Sequence, residues 1–165
     1  MANNSETHVW SDGTNAIMFT RTFDAPRQLV FDAFTRPELL VQWFNGPPPW
    51  IFEIPEADLK PGGRLRYEWR NPETGVSLGL SGAYTEVSAP ARLVHTELFD
   101  EDWTGGETEV TTTFEEVDGR TLFTGRVVYS SAEVRDGILN GPMADGMGES
   151  HDNLAKLLES LQAKD

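Results

Sequence analysis

Residues 142–161 read PMADGMGESHDNLAKLLESL, and the spacing of their apolar side chains decides the fold class. Met143, Met147, His151, Leu154, Leu158 and Leu161 recur at steps of four or three. That is the period of an amphipathic helix with about 3.6 residues per turn. The opposite face carries Asp145, Glu149, Asp152, Lys156, Glu159 and Gln162. A stripe this long has to be buried, and most of the chain before it reads as strand, so the partner is a curved sheet. The stripe is not uniform. Its second half is leucine-rich and suits a core. Its first half holds two methionines and a histidine, and methionine fills irregular space, which points to the wall of a cavity. The plainer reading of the same residues makes Met143 and Met147 ordinary core and His151 a satisfied buried histidine.

The chain has 165 residues, enough for one domain with one core. Residues 1–14 are polar and are expected to form a flexible tail, leaving residues 15–165 as the single domain. With 38% hydrophobic and 24% charged residues the composition is that of a globular protein. There are no cysteines, so disulfides, thiolate metal sites and cysteine nucleophiles are excluded. No run approaches the roughly 18 apolar residues of a membrane span. No basic-then-apolar leader pattern opens the sequence, and a cytoplasmic location is expected. The formal charge of −14 argues against nucleic acid as a partner. Five Trp, nine Phe and three Tyr supply rigid contact area for a core or a flat organic ligand.

Asn15 to Phe23 alternates as a strand with Ile17, Phe19 and Phe23 on its buried face. Asp24 and Pro26 then open a short helix, with Asp24 as the expected cap, and Pro37 opens a second. Asn45–Pro49 stops regular structure between Trp43, Phe44 and Trp50. This stiff aromatic loop is readable as the mouth of a pocket or as a plug at one end of the sheet. Arg64 to Arg70 alternates strictly, with Leu65, Tyr67 and Trp69 on one face. In the long strand that follows, Leu78, Leu80, Gly82 and Tyr84 share a face, and Gly79 and Gly82 suggest a bulge or bend. Arg92 to Phe99 is the next strand, and Trp103 sits in the loop after it. Asp118-Gly119 marks a tight hairpin between two long strands. Ser130 with Glu133 reads as a capping box opening a helix, which Asn140-Gly141-Pro142 interrupts. The expected architecture is α+β: an antiparallel sheet of about seven strands curved around one long C-terminal helix, with two short helices after the first strand.

Several segments carry a family resemblance: Arg21–Pro26 with Val30–Thr35, Pro37–Phe44, Asp58–Gly63, Gly82–Val87, Arg92–Val94, Thr112–Gly119, and Met143–Met147 running to Leu158. The resemblance covers residues 16–161. In this order the segments resemble the bacterial proteins with homology to the C-terminal domain of the Hsp90 ATPase activator. These belong to the START-like, or helix-grip, superfamily with polyketide cyclases, Bet v 1-like allergens and lipid-transfer domains. The resemblance implies a helix-grip fold with a hydrophobic cavity between the long helix and the sheet. Relatives usually carry a second Trp where this chain has Phe44, and Trp then Leu where it has Met147 and His151. Both departures imply a larger cavity with a hydrogen-bonding head at His151.

His8, His95 and His151 are the only histidines and form no metal-binding pattern. No nucleophile elbow or glycine-rich phosphate loop is present. No metal and no cofactor are expected. The face that His95 presents is not decided by the alternation around it. The sequence is read as that of a protein binding a small hydrophobic or aromatic ligand, lipid-, polyketide- or flavonoid-like. Its expected contacts are Trp43, Phe44, Trp50 and Trp103 from loops and short helices. Leu65, Tyr67, Trp69, Leu80 and Tyr84 join them from the sheet, and Met143, Met147 and His151 from the long helix. A cyclase- or hydrolase-like enzyme using His151, His95 or Tyr67 is the first alternative. A chaperone-interacting module is the second. A homodimer is compatible with the sequence.

Overall fold

The computed structural model describes residues 6–45, 48–101 and 104–163. The elements run β1 (His8–Asp12), β2 (Ala16–Phe23), α1 (Arg27–Thr35), α2 (Pro37–Leu40), β3 (Ile51–Ala57), β4 (Arg64–Arg70), β5 (Ser77–Ser88), β6 (Arg92–Phe99), β7 (Thr108–Val117), β8 (Arg120–Val128), α3 (Ala132–Leu139) and α4 (Met143–Ala163). The strands form one antiparallel sheet in the order β1-β2-β8-β7-β6-β5-β4-β3. This is the α+β helix-grip architecture, with eight strands rather than seven.

The added strand is β1, which lies within the stretch expected to be a tail. It pairs along its whole length with β2, from His8 opposite Thr20 to Asp12 opposite Ala16. Its side chains are mostly exposed, so backbone hydrogen bonds at the sheet edge hold it, and these leave no hydrophobic period to read.

Two helix starts differ by a residue or two from the sequence expectation. The cap position of α1 is Pro26, without a side-chain hydrogen bond, while Asp24 faces Arg120 at 3.6 Å. Ser131, not Ser130, caps α3, its hydroxyl accepting from the Val134 N–H at 3.2 Å. Asp118 (φ 54°) and Gly119 (φ 78°) turn β7 into β8, both left-handed as a two-residue hairpin requires. A β-bulge falls in β5 between Tyr84 and Glu86. Gly82 sits where a Cβ would run into the Thr96 carbonyl oxygen, so the close approach of β5 to β6 requires glycine there.

Strand pairing sorts the side chains onto two faces. Phe114 lies opposite Phe123, and Val110 opposite Val127. Phe19 lies opposite Gly125, and Leu65 opposite Gly82. These positions share the concave face, against which α1 and α4 pack. The core there is aromatic: Phe34 stacks on Phe123 with centroids 5.1 Å apart, and Phe114 meets Phe31 and Phe34 edge-on. Leu154 and Leu158 of α4 are fully buried in the same cluster.

Candidate functional site

Along α4 the burial changes. His151, Leu154 and Leu158 are buried, whereas Met143 and Met147 remain partly exposed. The concave face beneath changes in step. Leu93, Phe114 and Phe123 are buried, but Val110, Val127 and His95 are only partly so. The central strands β6, β7 and β8 are each paired on both sides. Partial exposure of their concave-face side chains therefore means that the cover above them is incomplete. This uncovered end of the concave face is the candidate site.

Its polar groups come from three neighbouring strands and the end of β8. His95 pairs opposite Tyr84 across β5 and β6, so both side chains share a face, and their rings meet edge-on at 5.8 Å. The orientation that the sequence left open is thereby settled: His95 points to the concave side. Its Nε2 lies 2.9 Å from Glu97 Oε2, with the two side chains 14% and 23% exposed. The Tyr67 and Tyr84 hydroxyls lie close enough to influence one another. Burial raises the pKa of Tyr67, Tyr84 and Tyr129, and the Glu97 carboxylate pushes all three further up. These phenols therefore stay neutral and serve as hydrogen-bonding groups.

His151 occupies a different setting. It is 1% exposed, edge-on to Phe123 at 5.0 Å and to Phe23 at 5.9 Å. Its Nδ1 lies 2.7 Å from the Thr7 hydroxyl just before β1. Burial, and then the nearby Arg21 guanidinium, push its pKa down to about 3. Arg21 is itself buried, its Nη1 2.7 Å from Asp152 Oδ1. The imidazole is thus a neutral, hydrogen-bonded core group, the plainer of the two readings its sequence position allowed.

The loop aromatics divide as well. Trp43 is 2% exposed, donates through Nε1 to the Ala33 carbonyl at 2.9 Å, and stacks on Phe44. Trp69 donates to the Phe44 carbonyl at 2.8 Å and stacks on Phe52. Both indoles turn inward to a backbone acceptor. Trp50 lines an open outer groove of about 540 Å³ with Pro48, Pro49, Asp152 and Lys156, on the polar side of α4. Trp103 lies outside the described residues. Leu65, Tyr67, Leu80 and Tyr84 all lie buried on the concave face.

Glu97 and Tyr129 were not among the expected contacts. Glu97 stands two residues from His95 in a strand, hence on the same face, and Tyr129 continues the period of Phe123, Gly125 and Val127. Both signals were present in the sequence. Among the described residues no group of three His, Asp or Glu side chains is placed to hold a metal ion. No described helix is long and apolar enough to cross a membrane.

A curved antiparallel sheet gripping a C-terminal helix, with polar groups gathered on its concave face, defines a START-like, helix-grip protein. More narrowly, residues 24–159 match the model of the activator of Hsp90 ATPase homolog 1-like protein family, and the chain belongs to that family. A crystal structure of a protein from Rhodobacter sphaeroides is similar, at 33% identity and TM-score 0.88, covering 94% of this chain and 99% of that one. A Nitrosomonas europaea protein matches at 26% identity and TM-score 0.80 over 93% and 99% of the two chains. A Mycobacterium smegmatis protein matches at 28% identity and TM-score 0.79 over 93% and 96%. No curated protein matches the chain.

Proposed function

We propose that this protein binds a small hydrophobic or aromatic ligand in the hollow between the first half of α4 and the concave face of the sheet. The observation that carries this reading is the partial exposure of Val110, Val127 and His95 on strands that are paired on both sides. An apolar floor with a few convergent polar groups is the usual composition of a ligand site. Met143 and Met147 provide an adaptable wall. Tyr67, Tyr84, Tyr129, His95 and Glu97 provide the polar end. His151 and Trp43 contribute to the rigid core beside the hollow, not to its lining.

Native mass spectrometry and a thermal-shift screen of flavonoids, polyketides and fatty acids test the proposal. A ligand at 100 times its dissociation constant raises stability by about 2.7 kcal/mol. Methionine-methyl NMR then locates it. Met143 and Met147 should shift, while Met18, on the convex face of β2, should not. Binding that moves Met18 alone, or no binding by any compound, defeats the reading.

The His95–Glu97 pair favours acid–base catalysis as a second reading, since a carboxylate holding one ring nitrogen orients the other. Chemical conversion of a bound ligand that is lost in His95→Asn, with binding retained, distinguishes it from carriage alone.

A further inference from the structure

We infer that the ligand of this hollow presents a hydrogen-bond donor, an O–H or N–H group on an apolar body, to His95 and Glu97, and that ligands bearing a carboxylate are refused. This rests on the hollow being the ligand site, and it narrows the chemistry that the site accepts.

The polarity of the site fixes the sign. A carboxylate only accepts hydrogen bonds, so the His95 nitrogen that faces Glu97 at 2.9 Å carries the proton. In the neutral imidazole the other nitrogen, Nδ1, presents a lone pair. It is buried and has no hydrogen-bond partner among the described residues. An unfilled buried acceptor is unfavourable until a donor reaches it.

Glu97 adds a second acceptor. Its described ion pair is with His95 alone, and no described Arg or Lys lies within salt-bridge distance of it. The buried arginines are engaged elsewhere. Arg21 holds Asp152, and Arg135 holds Asp136 and the Ala16 carbonyl. The field of Glu97 reaches all three tyrosine hydroxyls, which places its charge at the polar end of the hollow. The phenols can donate or accept, so they do not decide the sign; His95 and Glu97 do. A ligand carboxylate would be brought beside the Glu97 carboxylate, and the like charges repel. A phenol, alcohol or protonated amine fills the vacant acceptors instead.

The test uses four ligands on one apolar body and the full chain at neutral pH and about 0.15 M salt. They are 2-naphthol, 2-(aminomethyl)naphthalene, 2-methoxynaphthalene and 2-naphthoate, with dissociation constants read from the Met143 and Met147 methyl shifts. The two donors are expected to bind at least about tenfold more tightly than the methyl ether, one hydrogen bond's worth. The naphthoate is expected to be weakest. Glu97→Gln removes the charge and should move the naphthoate-to-naphthol affinity ratio by about tenfold toward naphthoate. Glu109→Gln makes the same charge change on the convex face and should leave the ratio where it was. Naphthoate binding as tightly as naphthol to the unaltered protein overturns the inference. So does Glu109→Gln moving the ratio as far as Glu97→Gln, which would assign the discrimination to overall acidity. If Glu97→Gln does not fold, the ranking on the unaltered protein decides. Failure of all four naphthalenes to bind would strike the hollow itself as a ligand site, a result distinct from a wrong ranking.

Discussion

The two ends of α4 face one sheet and meet different fates. At the C-terminal end, Leu154 and Leu158 join a cluster in which Phe23, Phe31, Phe34, Phe114 and Phe123 interlock edge-on and stacked. At the N-terminal end the helix brings Met143 and Met147, and the sheet brings Val110, Val127, His95 and Glu97. The curvature of the sheet is shared, so what differs is the side-chain volume supplied from each side. Large rings from the strands meet branched leucines from the helix and close the space. Val110 and Val127 on the sheet, and Met143 and Met147 on the helix, remain partly exposed. One helix thus carries a fully buried half and a partly exposed half, which meet about one turn apart at His151.

The largest effect is expected where the two ends are truncated. Phe123→Ala should cost about 3–5 kcal/mol, because a ring packed against Phe23, Phe34, Phe114 and His151 leaves a cavity that its neighbours cannot fill. Met147→Ala should cost less than about 1.5 kcal/mol, since a partly exposed side chain has less burial to lose. Urea unfolding of both variants measures the contrast. Equal losses would mean that the two ends form one continuous core.

Next in size is the response to acid, which reports the boundary between the ends. The folded protein holds His151 near pKa 3, against an ordinary value near 6.5. Between those values the unfolded chain binds a proton that the folded chain does not, so stability rises with pH and is lost as pH falls below about 6.5. From pH 7 to pH 5 this single group should remove about 2 kcal/mol. His151→Gln should flatten the pH dependence by that amount. An unchanged slope would mean that the imidazole reaches water and belongs to the open end.

Much of this architecture is written in local patterns. The alternation of Arg64–Arg70, the Asp118-Gly119 turn and the stripe from Met143 to Leu161 each encode an element within a few residues, and each stands where its pattern places it. Within the softer first half of the stripe Met143 and Met147 are partly exposed, whereas His151 is buried. What escaped depends on pairing between distant segments. The face of His95 follows from its position opposite Tyr84, because Leu93, Val94 and Thr96 give β6 no clean alternation. β1 exists through the edge of β2, which its own polar sequence does not announce. Trp43 reads as a loop-side aromatic until the acceptor at Ala33 turns it inward. Tyr67 and Tyr84 were legible one strand at a time, but their placement near Glu97 and Tyr129 required the sheet.

The smallest expected change in stability separates the two ends most finely. Adding bulk to a packed core forces neighbours off their preferred rotamers and costs about 1–3 kcal/mol. Leu154→Phe should behave in that way, since Leu154 is fully enclosed. Met147→Phe makes a comparable insertion at a partly exposed position. It should change stability by less than about 1 kcal/mol, because the added ring buries itself as it fills the hollow. Affinity for any ligand of the hollow should nevertheless fall by at least about tenfold, the loss of roughly one good contact. Calorimetric unfolding and ligand titration on the two variants read both quantities. Were Met147→Phe to cost as much as Leu154→Phe, the methionine end would already be filled, and the solvent that reaches Val110 and Val127 would be a surface feature with no room for a guest.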